Sequence, residues 1–113
     1  MQRDAAYLRD ILEAARLALA YLQKVDREVF DRDTKLQDAV LRRLEIIGEA
    51  ARRVSADTRR AHPEIPWRQM IGMRNQVIHM YDGVDMNVVW GTVQEDLPAL
   101  LEELQKIAEL QED

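Results

Sequence analysis

The feature that most constrains this chain is a stripe of apolar residues: Leu36, Val40, Leu44, Ile47, Ala51 and Val54, separated by steps of four, four, three, four and three. Such steps line up on one face of an α-helix and scatter over both faces of a strand. The stripe predicts a helix that starts at Thr34. There, Thr34-Lys35-Leu36-Gln37 reads as a capping box, whose hydroxyl and side-chain amide satisfy the first free backbone groups. Gly48 lies one step beyond Ile47, inside this helix. A mid-helix glycine costs about 1 kcal/mol against alanine, which points to a close approach by a neighbouring helix.

Three further segments repeat the pattern. Leu8, Ile11, Leu12, Ala15, Leu19 and Leu22 predict a helix from about Arg3 to Leu22. Residues 24–33 are charged and broken up around Val29 and Phe30, and read as a connection. Ser55 can cap a short turn that ends before Pro63. Pro63-Glu64-Ile65-Pro66 is a loop, because each proline biases the residue before it away from helical geometry. Pro66 suits the first position of a third long helix, which carries Trp67, Met70, Ile71, Val77 and Ile78 and stops near Asp82-Gly83, with Gly83 as its left-handed end. Asp85 can cap the last helix. It carries Val89, Val93, Leu97, Leu100, Leu104 and Ile107, runs to about Leu110, and is kinked or divided by Pro98. Four main helices joined by short connections, with one short helical turn, make an all-α up-down bundle. A length of 113 residues suits one domain, spanning 1–113, with one core.

The chain has no cysteine, which removes disulfides and thiolate metal sites from consideration. No apolar stretch approaches the roughly 20 residues of a membrane span, and no signal peptide is visible, so the cytoplasm is the expected compartment. The net charge of −5 argues against nucleic-acid binding when taken alone. The charge is unevenly placed, however. Residues 41–81 carry eight arginines against Glu45, Glu49, Asp57 and Glu64, whereas residues 82–113 carry Lys106 against nine acids. A basic middle beside an acidic end can form a local anion site, although runs of charge are commonly no more than solvated helix faces.

Two histidines are present. His62, before Pro63, reads as an ordinary surface histidine. His79 shares a predicted helix with Arg74 and Asn75, and Tyr81 lies just beyond it. Asn75 and His79 are four residues apart and therefore neighbours on one face, so the amide can fix the imidazole tautomer. Arg74 lies about 100° around the helix from Asn75, and its side chain is long enough to reach an anion near the ring. A histidine that titrates near neutrality can give or take a proton, and an arginine can hold a phosphate in its fork. Together they suit attack of an RNA 2′-hydroxyl on the adjacent phosphate, without a cofactor. The segment has neither a two-histidine metal spacing nor an acidic cluster. By spacing alone the signal is weak, since Arg and His five apart recur by chance in many helices, and a capping or interface role for His79 is the favoured reading.

The segment from Gly72 to Asp85, Gly-Met-Arg-Asn-Gln-Val-Ile-His-Met-Tyr-Asp-Gly-Val-Asp, closely resembles the signature of the HepT-like toxins, a branch of the HEPN superfamily of helical ribonucleases. That signature is Arg, four residues, His, any residue, Tyr. Gln37-Asp38-Ala39-Val40, Leu44-Glu45-Ile46-Ile47-Gly48-Glu49-Ala50, Pro63-Glu64-Ile65-Pro66-Trp67-Arg68 and Asp96-Leu97-Pro98 resemble the family in the same order. The resemblance implies a helical homodimer with two copies of the motif in one cleft, and metal-independent cleavage of tRNA or mRNA. Arg74 and His79 match the catalytic pair and Asn75 the polar residue after the arginine. The implied partner is an antitoxin of the minimal nucleotidyltransferase (MntA) type, which can silence such toxins by transferring AMP to the motif tyrosine, here Tyr81. Two other readings stand beside this one: a non-catalytic module that binds a nucleotide, an RNA end or a partner, and a structural dimer with Arg74, His79 and Tyr81 in its interface.

Overall fold

A computed structural model describes the backbone of residues 2–79 and 85–107, and the side chains of 3–73 and 85–107. The described residues form helices and connecting turns, with no strand among them. The predicted central stripe becomes α3 (Thr34–Arg53). Val40, Leu44, Ile47, Ala51 and Val54 are buried, Leu36 is partly buried, and Gly48 is buried as well. Helix α1 (Gln2–Tyr21) packs on one side of α3, and the helix Trp67–His79 on another. Leu8, Ile11, Ala15 and Leu22 face the core as expected, joined by Ala14 and Ala18, while Leu12 and Leu19 stay at its margin. Alanines there let α1 lie close to α3 without large side chains between them.

The cap of α3 differs from expectation. Asp33, not Thr34, is the capping residue, and its Oδ1 accepts the Leu36 N–H at 3.0 Å. A carboxylate one residue upstream satisfies the same donors as a hydroxyl and also faces the positive end of the helix dipole. Gln37 turns the other way: its amide donates to the carbonyls of Phe30 and Asp31, at 2.9 and 3.1 Å.

Those carbonyls belong to the second difference. Residues 27–32, expected to be connection, form a short helix, α2 (Arg27–Arg32). Asp26 caps it by accepting the Val29 N–H at 2.9 Å, and Gln37 satisfies its free carbonyls at the other end. Phe30 is fully buried, so one aromatic side chain anchors a helix too short to show a period.

After α3, Ser55 caps α4 (Ala56–Ala61) through a 3.2 Å bond from the Thr58 N–H, as its sequence predicts. Helix α5 (Trp67–His79) begins one residue after Pro66, whose carbonyl accepts the Met70 N–H at 3.0 Å. Trp67 and Met70 are buried and Ile71 is half-buried. The expected end at Gly83, and the side chains of Val77 and Ile78, lie outside the described residues.

The last predicted helix is divided in three: α6 (Met86–Gly91), a π-helical turn (Thr92–Asp96) and α7 (Leu97–Gln105). Asp85 caps α6 by accepting the Asn87 N–H at 2.9 Å. Pro98 has no N–H to return to the preceding turn. The chain widens just before it, where the Leu97 N–H reaches back five residues to the Thr92 carbonyl. All six stripe residues, from Val89 to Ile107, remain buried through the division. The helix ends at Gln105, short of the expected Leu110. Helix α7 packs on α1, which completes the expected all-α bundle of four main helical segments, with α2 and α4 as short additions.

Candidate functional site

Helix α5 carries the candidate residues. Its backbone is helical through positions 74–79, so Asn75 and His79 stand one turn apart, as their spacing predicts. Trp67, Met70 and Met73 are buried and define the face that α5 presents to the core. The side chains of Arg74, Asn75 and His79, and the whole of Tyr81, lie outside the described residues.

What surrounds α5 is fixed by the chain on either side of the motif. Upstream, the Trp67 indole donates to the His62 carbonyl at 2.9 Å, which ties the start of α5 to the end of α4. His62 is more enclosed than a surface residue: it is half-buried, with Nδ1 3.5 Å from a Glu64 carboxylate oxygen. Downstream, α6 is held by α2. The Arg27 guanidinium donates to the Asn87 side-chain Oδ1 at 2.7 Å, and the Phe30 and Trp90 rings stand 5.3 Å apart. This clasp joins residues 60 positions apart and fixes where the chain resumes after the motif.

The arginines of the basic middle are only partly matched by acids. Arg52 and Arg53 share Glu49, Arg42 pairs with Glu45 and Arg60 with Asp57. Bonds to Glu49 and Tyr7 hold the Arg53 guanidinium more firmly protonated than usual. Arg43 and Arg59 each keep a buried Nε with no hydrogen-bond partner. The segment therefore keeps a positive surplus on its folded surface.

One polar node escaped the sequence reading. Asp4, in the first turn of α1, is buried and accepts the Ser55 N–H at 3.0 Å, the Ser55 hydroxyl at 2.6 Å and the Thr58 hydroxyl at 2.5 Å. Burial opposes its charge, but the hydroxyl and amide donors outweigh that cost and hold the carboxyl below its usual range. A lone aspartate 51 positions from its partner gives no spacing signal; the only hint was an acid on the predicted first turn. Among the described residues, no three His, Asp or Glu side chains converge as metal ligands.

Comparison with known proteins assigns the chain. Residues 11–107 match the family described as Ribonuclease HepT-like. This chain is a member of the HepT-like ribonuclease family. It is 48% identical over 101 residues to "Probable ribonuclease HepT" of Thermococcus cleftensis, covering 89% of this chain and 92% of that protein. It is 40% identical over 105 residues to "Putative RNase MJ1380" of Methanocaldococcus jannaschii, covering 92% and 96%. A third relative from the same organism, "Gamma-glutamylcyclotransferase and putative RNase MJ0434", is 40% identical over 110 residues, which span 96% of this chain and 50% of that longer protein. No match was found among solved structures. The all-helical bundle agrees with the HEPN-like fold expected of this family. No helix among the described residues is long and apolar enough to cross a membrane.

Proposed function

We propose that this HepT-like protein is the toxin of a toxin–antitoxin pair and cleaves RNA without a metal ion, using Arg74, Asn75 and His79. The observation that carries the reading is the motif's register on one helix in a chain of a ribonuclease family. In this reading the two copies of a homodimer face each other across the motif. One His79 takes the proton of the RNA 2′-hydroxyl as that oxygen attacks the adjacent phosphorus. The bond to the 5′-oxygen breaks, and a second imidazole, in its protonated form, supplies that oxygen's proton. The products are a 2′,3′-cyclic phosphate and a 5′-hydroxyl. Arg74 holds the phosphate charge and Asn75 orients His79. The arginine surplus of α3 and α4 supports the reading, because two such surfaces on one cleft attract an RNA backbone.

Tyr81 is the proposed off-switch. AMP placed on it by a nucleotidyltransferase antitoxin adds an anion and a nucleoside two positions from His79, which competes for Arg74 and obstructs the cleft. The match to half of a longer relative supports reading residues 1–113 as one self-contained domain.

End-group analysis of RNA incubated with the purified, unmodified protein in EDTA tests the chemistry. Cyclic phosphate ends are expected from the wild type and not from His79→Ala; uncut RNA with the wild type overturns the reading. The intact mass of protein co-expressed with its genetic neighbour tests the switch. Added AMP units that map to Tyr81 are expected, and an unmodified Tyr81 in an inactive complex refutes that part.

A further inference from the structure

A groove of about 360 Å³ lies between α5 and α7, lined on the α5 side by Pro66, Gln69, Met70 and Met73. Glu64, Glu95, Asp96 and Glu103 stand around it, and among the described residues no arginine or lysine lines it. Pro66 and Ala99 are exposed in its floor, above the buried Met70 and Leu100. The π-helical turn contributes both Glu95 and Asp96 to one wall. Gln69, on the α5 side, donates to Asp96 at 3.1 Å. Glu103 has Lys106 at 3.3 Å, leaving the rim a surplus of carboxylates. Positions 95 to 103 span about 12 Å along the helix, at 1.5 Å per residue, which matches two turns of an opposing helix.

We propose that this groove docks a cationic, amphipathic segment of a partner protein, with lysines or arginines on the carboxylate rim and small apolar side chains over Pro66 and Ala99. The charge decides the class of occupant. The carboxylates repel an RNA backbone and attract a basic peptide, while the surplus of arginines lies on other elements, α3 and α4. Docking here places the partner against the helix that bears the motif. Its consequence for activity, slower RNA cleavage, rests on the ribonuclease reading; the binding itself does not.

The test uses the full chain and a fluorescein-labelled 14-residue leucine–lysine peptide designed as an amphipathic helix, read by anisotropy at low ionic strength. Glu95→Lys with Glu103→Lys is expected to weaken binding at least tenfold, with unchanged circular dichroism. The single variant Glu95→Lys is expected to weaken it about threefold and serves if the double variant misfolds. Asp10→Lys with Glu13→Lys on α1, the same change in net charge elsewhere, is expected to leave affinity within about twofold, since a local rim and not total charge sets the attraction. Equal losses in the two double variants overturn the proposal, as does absence of binding to the wild type or tighter binding of an RNA dodecamer than of the peptide at the same groove. In a parallel cleavage assay, saturating peptide is expected to slow the wild type and spare the Glu95→Lys/Glu103→Lys variant. If neither cuts RNA, the ribonuclease reading fails while the anisotropy result stands.

Discussion

Replacing Asp4 by alanine should loosen the bundle far from the motif. The carboxylate takes one backbone and two hydroxyl hydrogen bonds and is 5% exposed. A hydrogen bond to a charged group contributes about 1.5–3 kcal/mol net. Three such bonds sum to about 4.5–9 kcal/mol, from which the cost of burying the charge is subtracted. A loss of about 2–4 kcal/mol follows, because alanine also leaves the Ser55 N–H without its acceptor. For a domain of this size that lowers the melting temperature by about 8–20 °C. The pH dependence has a defined sign. The folded carboxyl titrates below its unfolded value, so its stabilisation is present above the unfolded pKa of about 4 and disappears as pH falls through the lower, folded value. Thermal melts of wild type and Asp4→Ala at pH 7 and pH 3 measure this. The gap between them should be widest at pH 7 and smaller at pH 3. A gap below about 2 °C at pH 7, or one that widens in acid, would show that the Asp4 carboxylate does not hold α1 to the start of α4.

Two further variants probe the elements that differ from the sequence expectation. Phe30→Ala removes the buried anchor of α2 and its contact with Trp90; urea unfolding should show a loss of about 3–5 kcal/mol, and a loss under 1 kcal/mol contradicts the packing. Asp33→Ala should cost about 1 kcal/mol as a lost helix cap, while Thr34→Ala stays within about 0.5 kcal/mol, so equal effects in thermal melts would restore the capping box to Thr34.

The long helices were legible because their apolar steps repeat over many turns: α3 and the final stripe from Val89 to Ile107 bury the residues their spacing selects. Short elements were not. Helix α2 spans six residues, held by a cap at Asp26, one buried ring and the distant amide of Gln37, none of which makes a period. At the start of α3 the capping-box pattern points to Thr34, whereas the folded backbone puts the cap one residue earlier, at Asp33. The π-helical turn arises from the missing N–H of Pro98; the sequence announced a break there but not that it would widen the helix ahead of the proline. Of the candidate site, the order and helical spacing of Arg74, Asn75 and His79 were readable from the chain. The Arg27–Asn87 clasp that positions the helix after the motif was not, because its partners lie 60 residues apart.

In the proposed reaction, His79 moves a proton as the RNA is cut. The direct measurement is the cleavage rate of a defined RNA by purified wild type and His79→Ala, each free of antitoxin and shown by mass to be unmodified at Tyr81. General acid–base catalysis by one side chain contributes about 10²–10⁴ in rate. The variant should be slower by that factor, with its melting temperature within a few degrees of the wild type. Equal rates for two folded proteins would rule out proton transfer by His79.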